Sequence, residues 1–213
     1  RATGQIYGPQ GASRVRALAD FIDAPNGARA NLPYDVVRES SLAMLHDLAA
    51  AGLTASGGAC QWEDLYREFE EEGLASMRFY CMQGPSAGRG PDAPQRFVAG
   101  LPDLEWHQGN EWMTNTTLGE NIPGGGGDDL YSAVQQPVTQ EQWDLFGDLA
   151  LEAAKTGASA LIHTQTEIAI EGKIDQLERI NEIVPIRNLR WGLMHMEQVT
   201  LEQLERMKAL NMV

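Results

Sequence analysis

Residues 159–167 read "SALIHTQTE" and residues 189–197 read "LRWGLMHME". Each is a short apolar run that delivers one histidine, His163 or His195, at its carboxyl end. A helical pattern follows each, "AIEGKIDQLERINEIV" after the first and "TLEQLERMKALN" after the second. A strand that feeds a helix and returns as a strand makes a parallel crossover, so the two runs are read as neighbouring parallel strands. The histidines then stand at the same end of a sheet, either as packing residues or as ligands for a metal.

The same alternation extends toward the amino terminus. "DVVRESSLAMLHDLAAAG", residues 35–52, spaces Val37, Leu42, Leu45, Leu48 and Ala49 along one helical face, with Gly52 as a C-cap. "LTASGGA" reads as a strand, "WEDLYREFEEEG" as a helix, and "ASMRFYCMQ" as a strand alternating around Met77, Phe79 and Cys81. A weaker helix near "APQRFVAGL" leads to "LEWHQGNEWMTNTTLGENI", read as a strand ending near Met113 and then a polar loop through Asn115, Thr116, Thr117 and Glu120. The glycine run that follows lacks the lysine and helix of a phosphate-binding loop. "TQEQWDLFGDLALEAAKTG" opens with Thr139 and Gln142 at capping-box spacing and places Trp143, Phe146, Leu149 and Ala153 on one stripe.

Strand-then-helix units in series predict a parallel α/β protein, either a barrel or a doubly wound sheet. "GGACQW" does not form the G-x-G-x-x-G fingerprint of a dinucleotide binder. Polar residues gather after the strands, as in barrels whose chemistry sits at the carboxyl ends. The expected fold is therefore a (β/α)8 TIM-barrel type, present as an incomplete barrel of parallel strands with outer helices. Residues 1–34 read as an irregular, glycine-rich lead-in and residues 35–213 as the central part of the barrel.

Composition narrows the partners. Thirty acidic against 16 basic residues give a net charge of −14, which repels nucleic acid and anionic lipid. No apolar stretch approaches the roughly 18 to 20 residues of a membrane span, and the opening residues carry no hydrophobic signal core, so a cytoplasmic protein is expected. Cys60 and Cys81 have neither zinc-ribbon nor C-x-x-C spacing and are expected to be reduced and buried. The bare edges of an incomplete barrel favour a homo-oligomer.

From about residue 35 onward the chain resembles the metal-dependent amidohydrolases, closest to the branch of N-substituted formamide deformylases. The motifs are "AAAGLTASGGA", "ALIHTQTEIAIEGKIDQLERI" and "PIRNLRWGLMHMEQV". The resemblance implies that His163 and His195 ligate a divalent metal, zinc in most members, and that a metal-bound hydroxide attacks a carbonyl carbon of a small amide or formamide-like molecule. Glu120 is the carboxylate nearest to a third ligand position. Trp112 and His107, read beside the end of the strand near Met113, are placed to touch substrate. The family's His-x-His pair, its carboxylated lysine and its eighth-strand aspartate have no counterpart here: the chain's four histidines are His46, His107, His163 and His195. A 213-residue chain that is weak or inactive alone is the corresponding expectation, with a non-catalytic binding or scaffold protein as the alternative.

Overall fold

The structure, a computed structural model, describes residues 33–60, 63–85, 90–125 and 138–213. Most of the expected lead-in segment, and the part of the glycine run beyond Gly125, lie outside the described residues. Eleven longer elements follow in chain order: α1 (Tyr34–Ala50), β1 (Ala55–Ala59), α2 (Glu63–Glu71), β2 (Arg78–Gln83), α3 (Ala93–Gly100), β3 (Met113–Glu120), α4 (Gln140–Lys155), β4 (Ala160–Thr164), α5 (Glu167–Ile183), β5 (Gly192–His195) and α6 (Leu201–Ala209). The strands form one sheet in the order β1-β2-β3-β4-β5, every pair parallel. The sheet curls into a half-barrel with helices around it. No helix among the described residues is long and apolar enough to cross a membrane.

Local chemistry sets the element boundaries. At the end of α1, Gly52 takes φ +85°, its N–H bonds to the Ala49 carbonyl, and the Leu53 N–H reaches back to Leu48, the pairing that closes a helix through a left-handed residue. Capping boxes open α4 and α6: Thr139 accepts from Gln142 N at 3.3 Å, and Thr200 accepts from Gln203 N at 3.2 Å.

β3 differs from the sequence expectation. Met113 begins this strand rather than ending one, and Asn115, Thr116, Thr117 and Glu120 are strand residues. The polar composition hid a run whose threonines are β-branched and favour extended backbone. The consequence is functional, because Glu120 now ends a strand beside β4.

The cysteines also depart from expectation, since Cys60 and Cys81 are joined by a disulfide. The register pairs Gly58 of β1 with Cys81 of β2, leaving Cys60 just beyond the end of β1 with its Cα 5.2 Å from that of Cys81. That separation suits a disulfide, and sequence spacing alone carries no trace of it.

The larger core lies between β3–β5 and helices α4 and α5, where Phe146, Ala150, Ile170, Ile174 and Leu177 are fully buried. A Cβ on Gly172 of α5 would come within 2.3 Å of the Trp143 ring of α4, so only glycine permits this approach. A smaller core joins α1, α2 and β2 through Leu45, Leu65, Tyr66, Phe69 and Met77.

One arginine ties α6 to α5. Arg206 donates from Nη1 to Glu171 at 2.5 Å, from Nη2 to Asp175 at 2.6 Å and Glu178 at 2.7 Å, and from Nε to Glu178 at 2.9 Å. The Arg206 hydrogen bonds hold the Glu178 carboxyl below its usual range. Because its folded pKa lies below the unfolded one, the stabilisation is present above the unfolded pKa and is lost as pH falls through the folded pKa. Arg206→Met is expected to destabilise the fold by about 1 to 2 kcal/mol near neutral pH. Urea unfolding at descending pH should show the gap to wild type closing in the acid range; a gap independent of pH would assign the loss to packing of the arginine stem.

Candidate metal centre

Three adjacent parallel strands bring their carboxyl ends to one rim. The register sets Glu120 of β3 opposite Ile162 of β4, His163 opposite Met194 of β5, and Thr164 opposite His195. Along β4, Ala160, Ile162 and Thr164 are buried, while Leu161 and His163 alternate with them and are partly exposed. His195, registered with the buried Thr164, would follow it toward the helices if its backbone stayed extended. Instead His195 has φ +72° and Met196 φ +48°. The Met196 N–H bonds to the carbonyls of Thr164 at 2.9 Å and Met194 at 3.0 Å, which fixes this turn. The imidazoles of His163 and His195 meet edge to face with ring centroids 4.6 Å apart. Consecutive non-glycine residues in left-handed conformation cost roughly 1 to 3 kcal/mol each and gather at functional sites.

Glu120 completes the cluster. His163 Nδ1 lies 2.8 Å from Glu120 Oε2, within hydrogen-bonding distance, and His195 Nε2 lies 3.8 Å from the same oxygen. One ligand atom from each of Glu120, His163 and His195 lies within 4.8 Å of the others. Nitrogen and oxygen ligands at roughly 2.0 to 2.2 Å from a tetrahedral zinc stand about 3.3 Å from one another. The two distances to Glu120 Oε2, 2.8 and 3.8 Å, bracket that value, and all three ligand atoms lie within 4.8 Å of one another, so the residue types and their spacing suit one such ion. The side chains are between 29% and 36% exposed, which leaves room for a further ligand and for substrate.

An open cleft of about 440 Å³ adjoins Glu120 and is lined by Met82, Gly84, Pro85, Gly119 and Asn121. Gly119 is needed there: a Cβ would fall 2.7 Å from the Leu161 carbonyl oxygen and 2.8 Å from Met82 Sδ. The surrounding loops are interlocked, with Gln198 N–H bonded to the Gln165 carbonyl, Glu167 N–H to Gln198 Oε1, and Gln203 Nε2–H to the Glu167 carbonyl.

Of the residues singled out from sequence, the structure brings together Glu120, His163 and His195. It does not bring Trp112 or His107 to them. Both precede Met113, the first residue of β3, and so lie at the amino end of the sheet. Trp112 packs against the smaller core, and exposed His107, at φ +57°, bonds through its N–H to the Asn115 carbonyl at 2.6 Å. Their reading as substrate contacts rested on a strand end at Met113, where β3 instead begins.

Sequence reasoning missed Lys173, whose Nζ donates to the His163 carbonyl at 2.6 Å. A signal for it existed: Ala169, Ile170, Lys173, Ile174, Leu177 and Ile180 share the buried face of α5, and a lysine in such a stripe calls for a specific partner.

Neither a protein-family model nor a curated protein matches the chain. Two solved structures do. An uncharacterized metal-dependent hydrolase from Pyrococcus furiosus aligns with a TM-score of 0.52 at 15% identity, over 85% of this chain and 38% of that one. An uncharacterized metal-dependent hydrolase from Pyrococcus horikoshii OT3 aligns with a TM-score of 0.54 at 16% identity, over 95% of this chain and 39% of that one. The chain therefore spans less than half the length of either, and the likeness shows a shared fold over that part.

Proposed function

We propose that the chain forms part of a metal-dependent hydrolase that cleaves a C–N bond in a small amide or formamide-like molecule. The observation that carries this reading is the convergence of Glu120, His163 and His195 at the carboxyl ends of three adjacent parallel strands. A bound divalent cation, zinc by the preference of that ion for imidazole nitrogen and carboxylate oxygen, supplies Lewis acidity toward a carbonyl and toward water.

The chain's own residues supply the rest. His163 and His195 as neutral imidazoles hold a cation without cancelling its charge, and Glu120 adds a single negative charge. Met82, Pro85 and Gly119 give the adjoining cleft an apolar wall suited to a small uncharged group, with the Asn121 amide as a polar contact. The net charge of −14 disfavours nucleic acid as the substrate.

The half-barrel belongs, on this reading, to a (β/α)8 barrel. The two solved neighbours are more than twice as long as this chain, and the Val213 N–H bonds to the Trp191 carbonyl at 3.0 Å beside the outer edge of β5, where a further parallel strand would lie. The 213-residue chain alone is accordingly expected to turn over weakly or not at all, and its open edges favour self-association.

The test is hydrolysis of a panel of N-substituted formamides and small amides by the complete reading frame, with and without chelator. Turnover lost to chelator and restored by zinc supports the proposal. Turnover indifferent to chelator and to His195→Ala, or a zinc-loaded protein inert toward the whole panel, overturns it.

A further inference from the structure

Lys173 is 5% exposed, on a buried face of α5 that also holds Ala169, Ile170, Ile174, Gln176, Leu177 and Ile180. Burying an ammonium group is costly unless hydrogen bonds compensate it, so what it bonds to bears on its role. One such bond runs to the main-chain carbonyl of His163, 2.6 Å from Nζ. The same side chain runs past the segment that follows Glu120: its Cε lies 3.6 Å from where a Cβ on Gly125 would stand. Gly125 is itself buried, at φ +72°, with its N–H bonded to the Gln142 carbonyl of α4. One lysine thus grips the backbone that carries His163 and packs under the chain leaving Glu120, from the side of the sheet opposite to the imidazoles.

We propose that Lys173 is a positioning residue for the Glu120–His163–His195 centre, fixing the His163 peptide so that its imidazole meets Glu120. This rests on the metal-centre reading above. The His163 carbonyl belongs to the peptide plane that sets the direction of the strand end, and a turn of that plane carries the side chain with it. Metal ligands must be held within about 0.5 Å and 10 to 20° of their working geometry, which side-chain packing alone on a partly exposed rim does not ensure. A charged donor below the strand does so, because the bond from a buried ammonium to a carbonyl is strong.

Two substitutions separate positioning from general stability. Lys173→Met keeps an unbranched apolar stem and removes the ammonium, whereas Lys173→Arg keeps a cationic donor. Zinc affinity, measured by competition with a chromophoric chelator, is expected to fall about 10- to 100-fold in Lys173→Met, the range for supporting partners of metal ligands, and to recover in Lys173→Arg. In the metal-free protein, imidazole nitrogen resonances should report a His163 Nδ1–H bonded to a carboxylate in wild type and in Lys173→Arg, and a loss of that signature in Lys173→Met. A Lys173→Met protein that binds zinc within twofold of wild type, or keeps the imidazole signature, overturns the proposal. Should Lys173→Met fail to fold, Lys173→Gln is held to the same two readouts. A wild-type chain that binds no zinc refutes the metal centre, while the imidazole resonances still decide the role of Lys173.

Discussion

Alanine in place of His163 or His195 is expected to weaken zinc binding by at least about 100-fold, a larger loss than that from removing a supporting partner. With three protein ligands converging, loss of one leaves two, too few for the usual structural or catalytic zinc site. Neither imidazole is part of the core, so each alanine variant should unfold within about 0.5 kcal/mol of wild type in the absence of metal. His195→Gly sharpens the test. His195 sits at φ +72°, where glycine is unstrained, so this variant is expected to gain up to about 1 kcal/mol of metal-free stability while losing zinc. Competition titrations with urea unfolding on the same samples check both halves. Zinc affinity unchanged in the alanine variants would show that these histidines are packing residues.

The second large effect is expected at Trp191, the residue before β5. It is 1% exposed, stands among the largest fully buried side chains, and donates from Nε1 to the Ala158 carbonyl at 2.7 Å. Trp191→Ala removes the packing and the hydrogen bond together, for a loss of about 3 to 5 kcal/mol. That is a large fraction of the 5 to 15 kcal/mol typical of a domain. Trp191→Phe retains most of the ring contacts but leaves the Ala158 carbonyl without this donor, for about 1 to 3 kcal/mol. Because Trp191 anchors the start of the strand that ends at His195, the alanine variant should also lose zinc affinity in proportion to its unfolded fraction. A Trp191→Ala protein with an unchanged urea midpoint would contradict the placement of this ring in the core.

The parts of the fold set by local chemistry could be read from the sequence. The capping box of Thr139 and Gln142, the buried stripe through Phe146, Leu149 and Ala153, and the Gly52 stop are interactions among near neighbours in the chain. The apolar runs ending at His163 and His195 are recognisable because both strands face a core. β3 was misread because its hydrogen bonds run to β2 and β4, and its threonines give no apolar alternation. With β3 starting at Met113, Trp112 and His107 stand before the strand rather than beside its end. The disulfide between Cys60 and Cys81 follows from a strand register, and the turn that aims His195 follows from a left-handed backbone. Lys173 showed a charge in a buried stripe, but its bond to a main-chain carbonyl ten residues earlier becomes visible only once β4 and α5 are packed.

The convergence of Glu120, His163 and His195 on one cation is tested most directly by anomalous diffraction from crystals of the complete protein grown with zinc, collected on both sides of the absorption edge. One strong peak should appear at about 2.0 to 2.2 Å from a nitrogen of each histidine and from a Glu120 oxygen. A zinc-saturated protein with no peak at that position, or with its ion held by other residues while these three keep to their own hydrogen bonds, would contradict it.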